Sequence, residues 1–591
     1  MKNNEGQPND YWPLEKSQPI IDKTQTIRLA SDLSQLSEGE RRAVAKLFEV
    51  GKIFQNIYEE QRHKQALSSY RKLLELYDEE PTTPPDKQNL LTLYRLNQGP
   101  IATTLENKRQ AFLPVDPVVP GKNMYPWGVK KEEIESYLVA HPEKRDEILG
   151  LRTVVRADSL ENLRHDLTML AKYNLLATLH PGLGNRLEEI FQRNSKRPGG
   201  PRQVARAPLE FYPVPYSVAY ADELMKAYSL LNEAADTLQK DDEEFAKYLR
   251  NRARDLLSDD YESGDAAWVT GHFKNLNAQI GSYETYDDEL YGVKTFFAFS
   301  LLLTRQQETM ALRQAMKGLQ TLEDSLPYDH HKKIREDIPV GVYDVIADFG
   351  QARGGNTATI LPNESYLARR YGRTILLRAN IMREPNIFAG TMRTFAAAVG
   401  EDQAKELTSD GNFYRTLWHE VGHYLGVDRT KDGRDLDQAL QDDASALEEM
   451  KADLVSLFVA EALHQQHYYT DAQLRSVYAG GILRVLQNNK PRRDQPYQTM
   501  ELMQWNFFLE NGLLSFENGK LRIHYDKYHS VIGKMLAKVL EVQYAGDKGG
   551  ADRFIDQYAV WKDDLHGVVA RNIRDQQKYR FRLFQYGALG E

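Results

Sequence analysis

The segment Leu417–Val427, LWHEVGHYLGV, sets two histidines four residues apart with a glutamate beside the first. That spacing has a use on a helix, where one turn takes 3.6 residues and positions i and i+4 share a face. There His419 and His423 stand one above the other and can take two adjacent corners of a zinc tetrahedron. Glu420 then sits beside the metal, where a carboxylate can draw a proton from water.

Two imidazoles do not close a zinc site, so a third ligand is needed. A continuation HExxHxxGxxH places glycine at Gly426 but ends on Arg429, a cation, with Asp428 one residue off. The other solution is a carboxylate from a second helix. The segment 444–463, ASALEEMKADLVSLFVAEAL, reads as one, with Ser445 and Glu448 spaced as a capping box. Glu449 and Asp453 lie four apart on one face of it. Glu449 can complete a His2Glu set and leave the fourth position to water. Asp453 can then accept the outward N–H of a ligating histidine. Glu448, about 100° around the helix, can serve the other histidine. His464 and His467 lie roughly 22 Å farther along the axis, too far to share the metal.

Composition narrows the ligand choice further. The chain of 591 residues contains no cysteine and 14 histidines, so thiolate ligands, disulfides and a cysteine nucleophile are excluded. A net charge of −9 leaves no nucleic-acid footprint. No apolar run reaches the length of a membrane span. The N-terminal stretch MKNNEGQPNDYWPLEKSQPI has no apolar core of an export signal, so a cytoplasmic location is expected, or a periplasmic one if a leader has been removed.

Most of the chain carries apolar residues at helical spacing, and 36–77 does so for several turns. The stretches 113–127 and 195–203 read as connections. Strand patterns appear at 340–350 and 373–382, and 512–525 reads as a hairpin turned at Asn518-Gly519. The expected class is α+β, mainly helical, with a small sheet.

With these motifs in order, the sequence resembles the dipeptidyl peptidase III family of zinc peptidases (peptidase family M49). Glu448-Glu449-Met450-Lys451-Ala452-Asp453 matches its second motif, EEx(R/K)A(E/D). HEVGH is one residue shorter than the family's usual HExxGH, as in bacterial and Nudix-hydrolase-associated members. IGSYETYDDELYG (280–292) looks like the family's ETY segment and TILPNE (359–364) like its substrate loop. The resemblance implies one zinc on His419, His423 and Glu449, with Glu420 as general base. It assigns Tyr286 to the tetrahedral intermediate, and Glu284 and Asn363 to the peptide's amino terminus. Two positions depart from the family: Ile360 replaces an asparagine, and the family's active-site histidine falls near Tyr497.

The resemblance also implies two lobes around a wide cleft. One is a substrate lobe with a small β-barrel, from 1–303, 344–390 and 541–591. The other is a helical zinc lobe, from 304–343 and 391–540. The activity implied is exopeptidase cleavage of short peptides from the free N-terminus, releasing dipeptides. A single-residue aminopeptidase and a non-catalytic peptide-binding protein are the alternatives.

Overall fold

A computed structural model of the chain describes residues 11–78, 85–196, 210–334, 338–486 and 495–591. Most of the stretch 195–203 falls outside them. Helices dominate, as the periodicity predicts, and 36–77 forms two of them. Glu38–Arg62 starts on a capping box formed by Ser37 and Glu40 and stops at His63, which is extended (φ −155°, ψ 121°). The chain resumes at Ala66–Asp78. His63 has a reason to leave the helix: its Nε2 lies 3.0 Å from the Asp116 carbonyl, and its ring packs on Trp127.

Five strands form the main sheet: β1 (Leu276–Ser282), β2 (Phe297–Thr304), β3 (Val340–Gly350), β4 (Ala358–Leu361) and β5 (Thr374–Arg378). Their order is β1-β2-β3-β5-β4, antiparallel except for the β3–β5 pair. The expected barrel is therefore an open sheet, since β1 and β4 do not pair with each other. Side chains bridge the open seam instead. The buried Arg378 guanidinium donates to Thr359 Oγ1 on β4 (2.5 Å), and to Gln279 Oε1 on β1 (3.0 Å) and Ser300 Oγ on β2 (3.3 Å). The sheet curls until both edges face one cation, and hydrogen bonds to that charge replace a backbone ladder.

The sheet also separates two hydrophobic cores. Side chains alternate across a strand, so Val340, Val342, Ile375 and Leu377 enter one core while Tyr343, Val345 and Leu376 enter the other. The first of these cores is helical and contains α1 (Pro385–Val399), α2 (Ser409–Gly422), α3 (Ala444–Gln465), α4 (Asp471–Val485), α5 (Pro496–Glu510) and α6 (Tyr528–Ala545). Helix α3 is buried on nearly every side, which fits its lack of a polar face and its position between α2, α4, α5 and α6. The last 50 residues divide between the cores: Phe554, Ile555 and Val569 join the helical one, and Phe584 and Tyr586 the other. The hairpin at 514–523 forms with Asn518 and Gly519 both at positive φ (53° and 78°), the twist that a two-residue turn requires.

Candidate metal centre

The motif HEVGH occupies the last turn of α2, with His423 at its C-cap. Gly422 lets this turn press against α3: a Cβ there would stand 2.7 Å from the Ala452 carbonyl oxygen. Glycine therefore sets how closely the two motif-bearing helices approach. Helix α3 begins at Ala444 behind Asp443, so Ser445 lies inside the helix and forms no capping box with Glu448. The Glu448 side chain is held elsewhere, by His423 and Lys451.

The close approach brings three ligand-type atoms from His419, His423 and Glu449 within 4.8 Å of one another. Glu449 Oε2 lies 3.3 Å from His419 Nε2 and 3.8 Å from His423 Nε2. In a zinc tetrahedron with bonds of ~2.0–2.1 Å, the ligand-to-ligand edge is about 3.3 Å. Glu449 Oε2 is buried and takes no hydrogen bond, an arrangement that costs free energy unless a cation faces it. The residues present fit zinc.

Each imidazole turns its other nitrogen to a carboxylate. His419 Nδ1 lies 2.7 Å from Asp453 Oδ1, and His423 Nδ1 lies 3.0 Å from Glu448 Oε1. Such pairs fix which nitrogen is free to ligate. Asp453 is itself held by Arg415 (2.8 Å) and Arg484 (3.4 Å), and Glu448 by Lys451 (2.8 Å). Burial lowers the basicity of His419, but Asp453, Glu449 and Glu420 outweigh it and raise its pKa to about 9. The carboxylates that favour a proton there favour a metal cation for the same reason. Burial raises the Asp453 carboxyl, yet His419, Arg415 and Arg484 hold it well below the usual range. Lys451 and His423 likewise overcome burial at Glu448 and lower it to about 2.

Glu420 is half-buried on the same turn and makes no hydrogen bond or ion pair among the described residues. Tyr497, at the start of α5, lies near the Glu449 and Glu420 carboxylates, and burial together with them raises its pKa. It is 47% exposed, so its phenol borders open space beside the metal ligands. The alternative ligands are occupied away from the centre. Arg429 pairs with Asp435, Asp428 with Lys332, and His464 with Asp471. Sequence reading missed Arg415 and Arg484. Arg415 was discoverable, standing one turn before His419 on the same face as Asp453's approach. Arg484 comes from α4 and has no local signal.

A second group assembles beyond the sheet. Asn363 Nδ2 donates to Glu284 Oε1 at 3.2 Å, and the Tyr286 phenol lies near the same carboxylate. These residues follow β1 and β4 rather than lying in a strand: the chain leaves β1 at Ser282 and turns at Tyr286-Asp287. Tyr286 is 80% exposed, and partial desolvation and the Glu284 carboxylate raise its pKa to about 12. Ile360 is on β4 opposite Ile375 and packs against the helical core, so it offers no polar contact.

Comparison with known proteins places this geometry. Residues 400–492 match the family model for zincin-like metallopeptidases. A curated relative, Nudix hydrolase 3 of Arabidopsis thaliana, is 24% identical over 583 residues, covering 92% of this chain and 70% of its own. The structure of dipeptidyl-peptidase III from Caldithrix abyssi superposes with a TM-score of 0.77 at 21% identity, over 96% of this chain and 99% of that one. The dipeptidyl-peptidase III of Corallococcus sp. strain EGB gives 0.70 at 23%, over 98% and 99%. The chain has the fold of these two-lobed proteins along nearly its whole length, and its metal-type cluster lies in the segment that is zincin-like.

Proposed function

We propose that the chain, a zincin-like metallopeptidase on the dipeptidyl-peptidase III fold, is a zinc-dependent exopeptidase that hydrolyses short peptides from the free N-terminus and releases dipeptides. The observation that carries this reading is the convergence of His419 Nε2 and His423 Nε2 on Glu449 Oε2, with Asp453 and Glu448 behind the rings. Zinc, when bound, supplies Lewis-acid activation of water and of the scissile carbonyl.

The chain's own groups do the rest. His419, His423 and Glu449 hold the metal. Glu420, one residue from His419 and without a competing partner, takes the proton from water and returns it to the leaving amine. Tyr286 donates its phenolic proton to the developing oxyanion, a contact worth about 3 kcal/mol. Glu284, positioned by Asn363, receives the substrate's ammonium, and this anchor sets how many residues lie before the scissile bond. Among the described residues no helix is long and apolar enough to cross a membrane.

The test is a panel of dipeptidyl- and aminoacyl-naphthylamides offered to purified protein with and without chelator. Chelator-sensitive release from the dipeptidyl compounds supports the reading. Release from the aminoacyl compounds alone makes it an aminopeptidase, and no release from either makes it a binding protein.

A further inference from the structure

Between the two cores lies a cavity of about 950 Å3, within the usual size of a ligand cleft. Among the described residues its wall carries six cations, Arg62, Arg109, Arg393, Lys578, Arg580 and Arg582, and no carboxylate. The whole chain has a net charge of −9, so this wall runs against the composition. Some of the charge is already engaged. Arg62 lies 3.5 Å from Asp287, and Arg580 donates to Leu105 and Asn107. Arg109, Arg393, Lys578 and Arg582 have no ion pair among the described residues. Five of the six, all but Arg62, are exposed to the open cleft, so together they give it a positive potential that salt screens.

None of the proposed site's residues is in this wall, but two wall residues lie toward its two halves. Tyr58, in its wall, donates to Asp287, the residue after Tyr286. Asn412, also in its wall, is on α2 seven residues before His419, about 10 Å along the helix axis. The pole near Glu284 is anionic and this one is cationic. A peptide whose ammonium is on Glu284 then meets an opposite field along the remainder of its length.

Resting on the exopeptidase reading above, we propose that this cavity takes the part of the peptide beyond the scissile bond and selects for acidic side chains there. The recognised chemistry is the carboxylate, and a free polyanion such as inorganic polyphosphate would compete for it.

The experiment uses heptapeptides that share their first three residues and carry Glu, Gln or Lys at the later positions. Each is assayed at about 0.01 M and about 1 M ionic strength, where the Debye length falls from ~30 Å to ~3 Å. At low salt kcat/KM should be at least about 10-fold higher for the Glu series than for the Lys series, through KM, and the gap should close at high salt. Polyphosphate should inhibit the Glu series competitively. The double variant Arg393→Gln, Lys578→Gln should reduce the Glu-to-Lys ratio to near one. A flat series, or a ratio unchanged in the double variant, overturns the proposal. Dipeptidyl-naphthylamides have no residue beyond the scissile bond. Their turnover alongside a flat series therefore removes only this inference, whereas no turnover of any substrate removes the exopeptidase reading and this one with it.

Discussion

Asp453 Oδ1 lies 2.7 Å from Nδ1 of His419, leaving the Nε2 of that ring for Glu449 and the metal position. The same carboxylate holds Arg415 and Arg484, so one buried aspartate connects a candidate ligand to two cations from α2 and α4. Losing it changes two things at once. Asp453→Ala should weaken zinc affinity by about 10–100-fold without abolishing binding, as expected for a group that orients a ligand. It should also destabilise the fold by about 3–5 kcal/mol, because it leaves the buried Arg415 guanidinium without its carboxylate, while Arg484 keeps Glu501. Chelator competition reads the first effect and denaturant unfolding the second. Unchanged affinity would make Asp453 a purely structural partner of the arginines.

Glu420 tests the chemistry separately from the metal. Glu420→Gln should retain zinc, since Glu420 is not among the converging ligand atoms. Activity should fall by about 10²–10⁴-fold, the range for removing a general base. Elemental analysis alongside turnover distinguishes the two. Normal turnover in a zinc-loaded variant would remove Glu420 from the mechanism.

Glu284 tests which end of the peptide is read. N-acetylation removes the ammonium, so acetylated peptides should be cleaved more slowly by about 10-fold or more, matching a charged hydrogen bond of about 1.5–3 kcal/mol. Glu284→Gln should erase most of that difference. Equal rates on free and acetylated peptides would make the protein an oligopeptidase.

What the sequence made legible follows from period. HEVGH and EEMKAD each lie on one helix, so the 3.6-residue repeat alone says which residues share a face. Glu449 is indeed beside both histidines, and Asp453 and Glu448 lie behind different rings. Expectations failed where tertiary partners outweighed local pattern. Ser445 does not cap α3, because Asp443 precedes the first turn and Glu448 is drawn to His423 and Lys451. The sheet does not close, and a buried arginine from its interior bridges the edges that period alone cannot register. Arg484 and Tyr497 reach the centre from α4 and α5, and no spacing rule connects them to α2.

A pH effect independent of the metal is expected at His566, at the first turn of helix His566–Gln576. It is fully buried, its ring packs on Trp505 and Trp561, and burial lowers its pKa from 6.5 to about 4. Folding therefore favours the neutral ring. The unfolded chain binds a proton as pH falls below about 6.5 while the folded one resists until about 4, so stability from this group is present above pH 6.5 and lost across that window. Unfolding midpoints measured from pH 7 to pH 4 should fall less steeply in His566→Phe than in the parent. Parallel curves would assign the acid sensitivity to other groups.

Zinc-dependent cleavage counted from the free amino terminus is read from the masses of the products of one unlabelled tetrapeptide. The zinc-loaded protein should convert the tetrapeptide to two dipeptides, and prior treatment with chelator should stop the reaction until zinc is returned. Intact tetrapeptide after prolonged incubation with the zinc-loaded protein, or dipeptides formed at the same rate under chelator, would contradict it.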